Sequence, residues 1–410
     1  MVNTQLHSEN QARLERAAIL SETPEYIVER LSVPARVSHF SIPFNGNDLK
    51  AWRIVHNSDL GPGKGGIRFH PGVSEQETAS LAFWMTIKTA LFNLPYGGAK
   101  GGVSVDPKLL SIEDREYISR AYVRGLYPHL GADLDIPAPD VYTDEQVMAW
   151  MLDEYESITG VFEPAAFTGK PVVLGGCSIR DSATSRGGYL LFKEALAALG
   201  DNSRKLEVAI HGFGNAGTHI AGMFKEEGHK IVLASDSAGA IYDAKGFDVR
   251  ALISAKRSGM SLVEAFPDRQ ADGDPLAISV DLTVLAALSE HVRVDNVDQM
   301  DTKYILELAN GPITEEAERK LIDRGVLILP DVLMNAGGVM ASYLEWASNK
   351  SGNIFDEDHL NGLFAKIMKD TWSRVYDRYL KSSENTLRVH AYAEALQRIT
   401  QAAYLRGRRR

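Results

Sequence analysis

The chain has 410 residues, enough for two or three domains that each bury a core. Its 44% hydrophobic and 24% charged content is that of a globular protein, and a net charge of -10 argues against a general nucleic-acid binder. A single cysteine, Cys177, excludes an intrachain disulfide and a cysteine-rich metal site and fits a reducing cytoplasm.

In chain order, residues 1–20 lack the apolar core of a secretory signal and read as a surface helix opened by Ser8 and Gln11. No run reaches the ~18 apolar residues of a membrane span, so no membrane partner is expected. Residues 37–44 and 49–56 read as strands around an Asn45-Gly46 turn. Three lysines then follow at intervals. Lys64 lies in GPGKGGIRFHP, Lys88 in WMTIKTALFNLP and Lys100 in YGGAKGGV. Glycine allows a backbone to approach a small ligand closely. Converging ammonium groups call for anions nearby, because repulsion and desolvation otherwise strip their protons. The pattern therefore points to a small-acid binding site.

Ser74 and Glu77 have the spacing of a capping box, so a helix is expected to start there. Leu81, Trp84, Met85, Lys88 and Phe92 follow at helical spacing, which assigns Lys88 to an apolar face. GPGKGG is no phosphate loop, since Gly65 stands where Ser or Thr would hold magnesium. The eleven histidines form no HExxH pairing, so no metal is expected.

Residues 111–126 read as a helix, and 137–155 as a proline-stiffened loop running into another. Residues 1–180 are thus assigned to one α+β domain. From about 185 the chain alternates strands and helices. Strands are expected at 206–211, 230–234, 282–285, 304–308 and 326–329, with a helix at 314–324. Such alternation predicts a doubly wound, mainly parallel sheet over residues 181–384. A last helix at 391–405, within a segment of about 385–410, is expected to return to the first domain. Beyond it Arg406, Arg408, Arg409 and Arg410 read as a solvated tail.

Gly212, Gly214 and Gly217 form G-x-G-x-x-G between an expected strand and helix, the dinucleotide fingerprint. Asp236 follows 24 residues after Gly212, at the end of the next strand. A carboxylate there suits the ribose hydroxyls of NAD and repels a 2′-phosphate, and residues 237–244 contain no Arg or Lys to offset that charge. NAD is favoured, with NADP as the alternative.

KGGIRFHP, MTIK, LPYGGAKGG, PAPDV, TGKP, GFGNAG, ELANGP and NAGGVMASYLEW occur together in this order. In these motifs the chain resembles the glutamate/leucine/phenylalanine/valine dehydrogenases, most closely the glutamate-specific branch, from about Arg53 to Trp346. The resemblance implies a fold of two α/β domains around a cleft and a homo-oligomer, a hexamer. It implies reversible oxidative deamination of L-glutamate to 2-oxoglutarate and ammonia. Lys100 would polarise the 2-oxo group and activate water, and Asp140 would pass protons to and from the amino nitrogen. Lys88 would bind the α-carboxylate, and Lys64, with Ser342 and Arg180, the side-chain carboxylate. Thr184, Asn215 and Asn310 would contact the dinucleotide, with Asn335 near the nicotinamide.

A lysine flanked by cations and partly buried can be drawn toward the range where general acid–base catalysis works. A buried ammonium facing an aliphatic side chain would stay unpaired, which argues for glutamate over leucine. The chain departs from the family pattern where it reads Gly175-Gly176-Cys177-Ser178-Ile179-Arg180 and Ala183-Thr184-Ser185-Arg186-Gly187. Ser185 stands in place of a common glycine. Two alternatives stay open, a dehydrogenase for another amino acid and a non-catalytic regulatory paralogue.

Overall fold

A computed structural model describes residues 8–201, 204–287, 290–353 and 355–408, and within it the chain divides into two units. The first holds residues up to Arg180, Val339–Phe364 and the segment from Val389 onward. The second holds Asp181–Gly338 and Ala365–Arg388. The sequence reading ran the second domain unbroken to 384, whereas residues 339–364 cluster with the first unit. Their polar groups are satisfied there: Trp346 Nε1 donates to Ala132 O at 3.0 Å, and Lys350 Nζ to Asp133 Oδ2 at 2.6 Å. Apolar periodicity marks a helix but does not say which sheet it packs on.

The first unit contains α1 (Ser8–Ser21), α2 (Glu25–Leu31), α3 (Glu75–Leu91), α4 (Ile112–Arg124) and α5 (Glu145–Thr159). Its strands are β1 (Arg36–Phe44), β2 (Asn47–Asn57), β3 (Gly63–Phe69), β4 (Gly98–Val103) and β5 (Asp135–Pro139). They form a mixed sheet in the order β1-β2-β4-β3-β5. The β1–β2 hairpin turns through Asn45 and Gly46, both at positive φ, as a two-residue type I′ turn requires.

Two glycine-rich lysine segments are the central strands β3 and β4, with every residue of β4 buried. Most of their glycines serve packing inside the protein. A Cβ at Gly65 would lie 1.6 Å from Ala99 O, one at Gly98 2.2 Å from Thr86 N, and one at Gly101 2.2 Å from the Tyr122 hydroxyl. Gly98 and Gly101 point to opposite faces, so α3 covers one face of the sheet and α4 the other. On the α4 face Ile67, Val103, Ile118, Tyr122, Met148 and Phe167 share a core.

α3 begins as expected, with Glu77 N donating to Ser74 Oγ at 3.2 Å, but Glu77 spends its carboxylate on Arg68 instead of closing the box. The expected apolar face of α3 is corrected. Its buried residues include Ala79, Ala82, Phe83, Thr86, Ile87 and Ala90, while of the expected stripe Leu81, Trp84, Met85 and Lys88 are only half-buried and Phe92, at the helix end, is buried. The small Ala82 and Thr86 let the helix approach Gly98 of β4, and Phe83 and Ile87 are buried with them. The expected solvated tail holds at the exposed Arg406 and is corrected at Arg408, which with Arg30 pairs with the buried Asp59. Arg409 and Arg410 lie outside the described residues.

The second unit carries α6 (Arg180–Ala198, entered at its first residue from the first unit), α7 (Asn215–Glu226), α8 (Val249–Arg257), α9 (Leu262–Ala265), α10 (Glu315–Asp323) and α11 (Asp331–Met334). The chain continues through α12 (Gly337–Ser351), α13 (Glu357–Leu380) and α14 (Leu387–Leu405). Its strands are β6 (Glu207–His211), β7 (Lys230–Asp236), β8 (Gly239–Tyr242), β9 (Val280–Leu285), β10 (Thr302–Glu307) and β11 (Leu327–Leu329). The sheet order is β11-β10-β9-β6-β7-β8, all parallel except β8. The chain winds outward in both directions from β6 and β9, so the carboxyl end of β6 lies at a topological switch point. No helix among the described residues is long and apolar enough to cross a membrane.

Candidate active site

Alternation along β3 and its neighbours brings the charged residues together. Ile67 pairs with Gly101 in parallel register, so one residue earlier Gly66 stands beside Lys100. Gly66 also pairs with Ala138 on its other side. Side chains two residues apart share a face. Lys64, Arg68, Lys100 and Asp140 therefore emerge on one face, the face that α3 covers. Gly66 lies between Lys100 and Asp140, and a Cβ there would fall 2.7 Å from Asp140 Cβ. The missing side chain lets the two meet across β3, and Lys100 Nζ donates to Asp140 Oδ1 at 2.8 Å.

The other oxygen of Asp140 accepts from Arg68 Nε at 2.8 Å, and Arg68 Nη1 reaches Glu77 Oε1 at 2.5 Å. Thr143 Oγ1 takes the Asp140 N–H at 2.8 Å and fixes the turn behind it. Burial pushes the Asp140 pKa up, but Lys100 and then Arg68 outweigh it and hold the carboxyl well below its usual range.

Lys64 is 1% exposed. Its Nζ donates to Thr168 Oγ1 at 2.8 Å and to Ile136 O at 3.4 Å. Burial first, then the charges of Arg180 and Arg53, draw it well below the usual lysine pKa, against the pull of Glu345 and Asp135. Arg180 Nη1 donates to Ser342 Oγ at 2.8 Å. Gly169 links these groups. Its φ is +81°, and a Cβ there would meet Pro139 Cδ at 2.4 Å and Arg180 Cζ at 2.9 Å. The structure thus gathers Lys64, Lys100, Asp140, Arg180 and Ser342. Lys88 sits half-buried in the last turn of α3, on the helix over the same face.

Sequence reasoning missed several supporting residues. Arg68 lay in KGGIRFHP and Thr168 and Lys170 in TGKP, but nothing local assigns them a partner. Glu345 is fully buried in α12 and binds Lys170 Nζ at 2.6 Å and Gly169 N at 2.8 Å. Arg53 and Asp135, both 0% exposed, form a pair that Arg36 joins, and Arg53 Nη1 also donates to Gly65 O at 3.0 Å. The ion pairs among these groups join residues 72 to 175 apart in the chain, beyond any local motif.

The fingerprint glycines in the second unit can each be read physically. Gly212 has φ +103°, and a Cβ there would meet Ala287 N at 2.6 Å. A Cβ at Gly214 would meet nothing within 4 Å, whereas one at Gly217 would lie 2.1 Å from Gly212 O. The turn, the open approach and the close helix–strand packing of a pyrophosphate site are all present. Gly214 caps α7, and it and Asn215 are exposed, leaving the helix N-terminus open to an anion. These residues fit a dinucleotide.

Asn335 Nδ2 donates to Asn310 Oδ1 at 2.9 Å. Thr184 adjoins the segment after Asn335, because a Cβ at Gly337 would lie 3.0 Å from Thr184 Cα. The Ser185 departure is accommodated, since its buried hydroxyl donates to Ala216 O at 2.8 Å. Asp236 differs from expectation. Its Oδ2 already accepts from Lys256 Nζ at 2.7 Å and Leu262 N at 2.9 Å, and its Oδ1 from Ala238 N at 2.9 Å. Residues 237–244 carry no cation, but Lys256 reaches back from α8.

Residues 175–407 match the profile of Glutamate/Leucine/Phenylalanine/Valine dehydrogenase, and 34–157 that of the Glu/Leu/Phe/Val dehydrogenase dimerisation domain. The chain belongs to the glutamate/leucine/phenylalanine/valine dehydrogenase family. It is 38% identical to an NADP-specific glutamate dehydrogenase of Synechocystis sp., covering 98% of each chain. It is 36% identical to an NAD-specific glutamate dehydrogenase of Staphylococcus aureus, covering 99% of each. Among solved structures, a hetero-hexameric glutamate dehydrogenase from Thermus thermophilus in a leucine-bound form superposes with a TM-score of 0.92. It is 32% identical, with 99% of both chains covered.

Proposed function

We propose that this chain is a glutamate dehydrogenase, catalysing reversible oxidative deamination of L-glutamate to 2-oxoglutarate and ammonia. The observation that carries the reading is the 2.8 Å contact of Lys100 with Asp140 on the same sheet face as the dehydrated Lys64. The first unit is the substrate domain and the second the dinucleotide domain. Lys64, with Arg180 and Ser342, receives the side-chain carboxylate, and Lys88 the α-carboxylate. Lys100 donates a hydrogen bond to the 2-oxo oxygen and orients the attacking water. Asp140 accepts a proton from the substrate nitrogen and returns it in the reverse direction. An ionised Asp140 suits the first role, and substrate must loosen its two ion pairs for the second. The bound dinucleotide, held by Gly212, Gly214, Asn215 and Gly217 with Thr184, Asn310 and Asn335, supplies the hydride acceptor.

Glutamate is favoured over an aliphatic substrate because a side-chain carboxylate would give the buried Lys64 Nζ a charged acceptor beside the neutral Thr168 Oγ1 and Ile136 O. Asp236 keeps one carboxylate lone pair for a ribose hydroxyl, which supports NAD. Lys256 beside it supports NADP as the second reading, because it offers a cation to a 2′-phosphate. The single cysteine supports a cytoplasmic location. Exposed apolar side chains in the first unit, Phe162 and Val173 among them, support a homo-oligomer, and the hetero-hexameric Thermus thermophilus relative supports a hexamer.

The test is a steady-state assay with 2-oxoglutarate and ammonium, comparing NADH with NADPH and glutamate with leucine in the reverse direction. Turnover with 2-oxoglutarate and little with leucine is expected. A preference for leucine would overturn the role of Lys64, and absence of turnover would favour a regulatory paralogue.

A further inference from the structure

The loop that follows β10, Leu308 to Pro312, carries Asn310 and is held by a buried cluster of charges. Arg388, in the first turn of α14, is 2% exposed. Its Nη2 donates to both oxygens of Glu307, at 2.8 and 2.7 Å, and its Nε to Glu318 Oε1 at 2.9 Å. Its Nη1 bonds Asp331 Oδ1. Glu307 is the last residue of β10, and its Oε2 also accepts from Asp331 N at 2.8 Å. Asp331 Oδ2 in turn accepts from Gly311 N at 2.8 Å, inside the loop, where Gly311 has φ +54°. On the far side Asn335 N donates to Asp331 O at 3.0 Å. Its side-chain amide donates to Asn310 Oδ1 at 2.9 Å, Leu308 O at 3.2 Å and Ala309 O at 3.3 Å. One guanidinium therefore grips the strand end, the helix that starts with Asp331 and, through Asp331, the loop itself.

The cluster is not an economical way to stabilise a core. Three carboxylates surround one cation, and buried ion pairs often contribute less than apolar packing of the same volume. Burial first, then repulsion from Asp331 and Glu318, pushes Glu307 up to about 7 despite the opposing pull of Arg388. What such an arrangement does well is specify a single geometry, since each acceptor has one direction to its donor.

We infer that Arg388 is a positioning residue for the dinucleotide, fixing the Asn310–Asn335 loop through Glu307 and Asp331 in the form that receives the cofactor. The inference rests on the proposed reading that Asn310 and Asn335 contact the dinucleotide. Arg388 lies more than fifty residues beyond Asn335 and belongs to no nucleotide motif. Without the guanidinium, Asp331 loses its counter-ion and Gly311 its fixed acceptor, so the loop samples several positions. Binding then has to select one of them, which weakens affinity without changing the reacting atoms.

The test uses full-length wild type, Arg388→Lys, Arg388→Met and Glu307→Gln. NADH and NADPH binding is followed by nicotinamide fluorescence, alongside kcat, the KM values and the far-UV circular dichroism melt. In Arg388→Met the dinucleotide Kd and KM should rise about tenfold to a hundredfold. Its kcat at saturating cofactor and its KM for 2-oxoglutarate should stay within about threefold of wild type. Arg388→Lys, which keeps the charge but not the fork, should fall between the two, and Glu307→Gln should weaken the dinucleotide alone. Native-like dinucleotide affinity in a folded Arg388→Met would overturn the inference. So would a loss of every constant in proportion to the folded fraction, which marks a purely structural tie. Should Arg388→Met not fold, Arg388→Lys decides, and wild-type affinity there also overturns it. Failure of wild type itself to bind either dinucleotide would instead sink the functional reading beneath it.

Discussion

Asp140 meets a cation on each oxygen, Lys100 on one and Arg68 on the other, and this sets what the site can do. Lys100 and Asp140 were legible in the sequence because their motifs are. Arg68 was not, because its partner lies 72 residues away and only the strand register puts them on one face. Arg68→Met should remove one of the two charges that hold Asp140 low. Its pKa then rises, and the acidic limb of the kcat/KM profile should move up by roughly one to three pH units. An unmoved limb would mean that Arg68 does not tune the carboxyl. Lys64 gives a second signature. Its pKa is drawn down by burial, Arg180 and Arg53, so a bound side-chain carboxylate should raise it again and pull a proton from solvent. Calorimetry of 2-oxoglutarate binding in buffers of different ionisation enthalpy should show proton uptake. Lys64→Met should abolish it, and uptake that persists in that variant would place the proton elsewhere.

Among the elements, the regular ones were legible and the glycine-rich ones were not. The hairpin at Asn45-Gly46, the alternating strands of the second unit and α10 follow from turn chemistry and periodicity. β3 and β4 do not, because glycine has low strand propensity and carries no side chain to show alternation. Their conformation is imposed by neighbours on both faces. The same cause shifted the reading of α3, where Ala82 and Thr86 lie against Gly98 of β4 and the helix buries a neighbouring stripe. Gly98→Ala tests this directly. Its Cβ would fall 2.2 Å from both the amide nitrogen and the hydroxyl of Thr86, forcing α3 off the sheet. Urea denaturation should show a loss of about 1–3 kcal/mol. A neutral effect would mean that the helix can move away without penalty. Asp236 shows the converse, since its cation, Lys256, lies twenty residues further along the chain and only the fold carries it back.

For the whole molecule, the two-unit division and the parallel sheet follow from patterns that repeat over tens of residues. Assigning residues 339–364 required knowing which partners satisfy Glu345 and Trp346, which no pattern states. The family is secured by matches over nearly the full length, and the activity proposed for the chain turns on a single pair of side chains. The most direct measurement is therefore the turnover of Asp140→Asn with saturating 2-oxoglutarate, ammonium and dinucleotide, run beside fluorescence titration of the dinucleotide. Asparagine keeps the shape and cannot carry the proton. The expected result is a kcat lower by about 10²- to 10⁴-fold with dinucleotide affinity unchanged. A kcat within a few-fold of wild type in that variant would contradict the account.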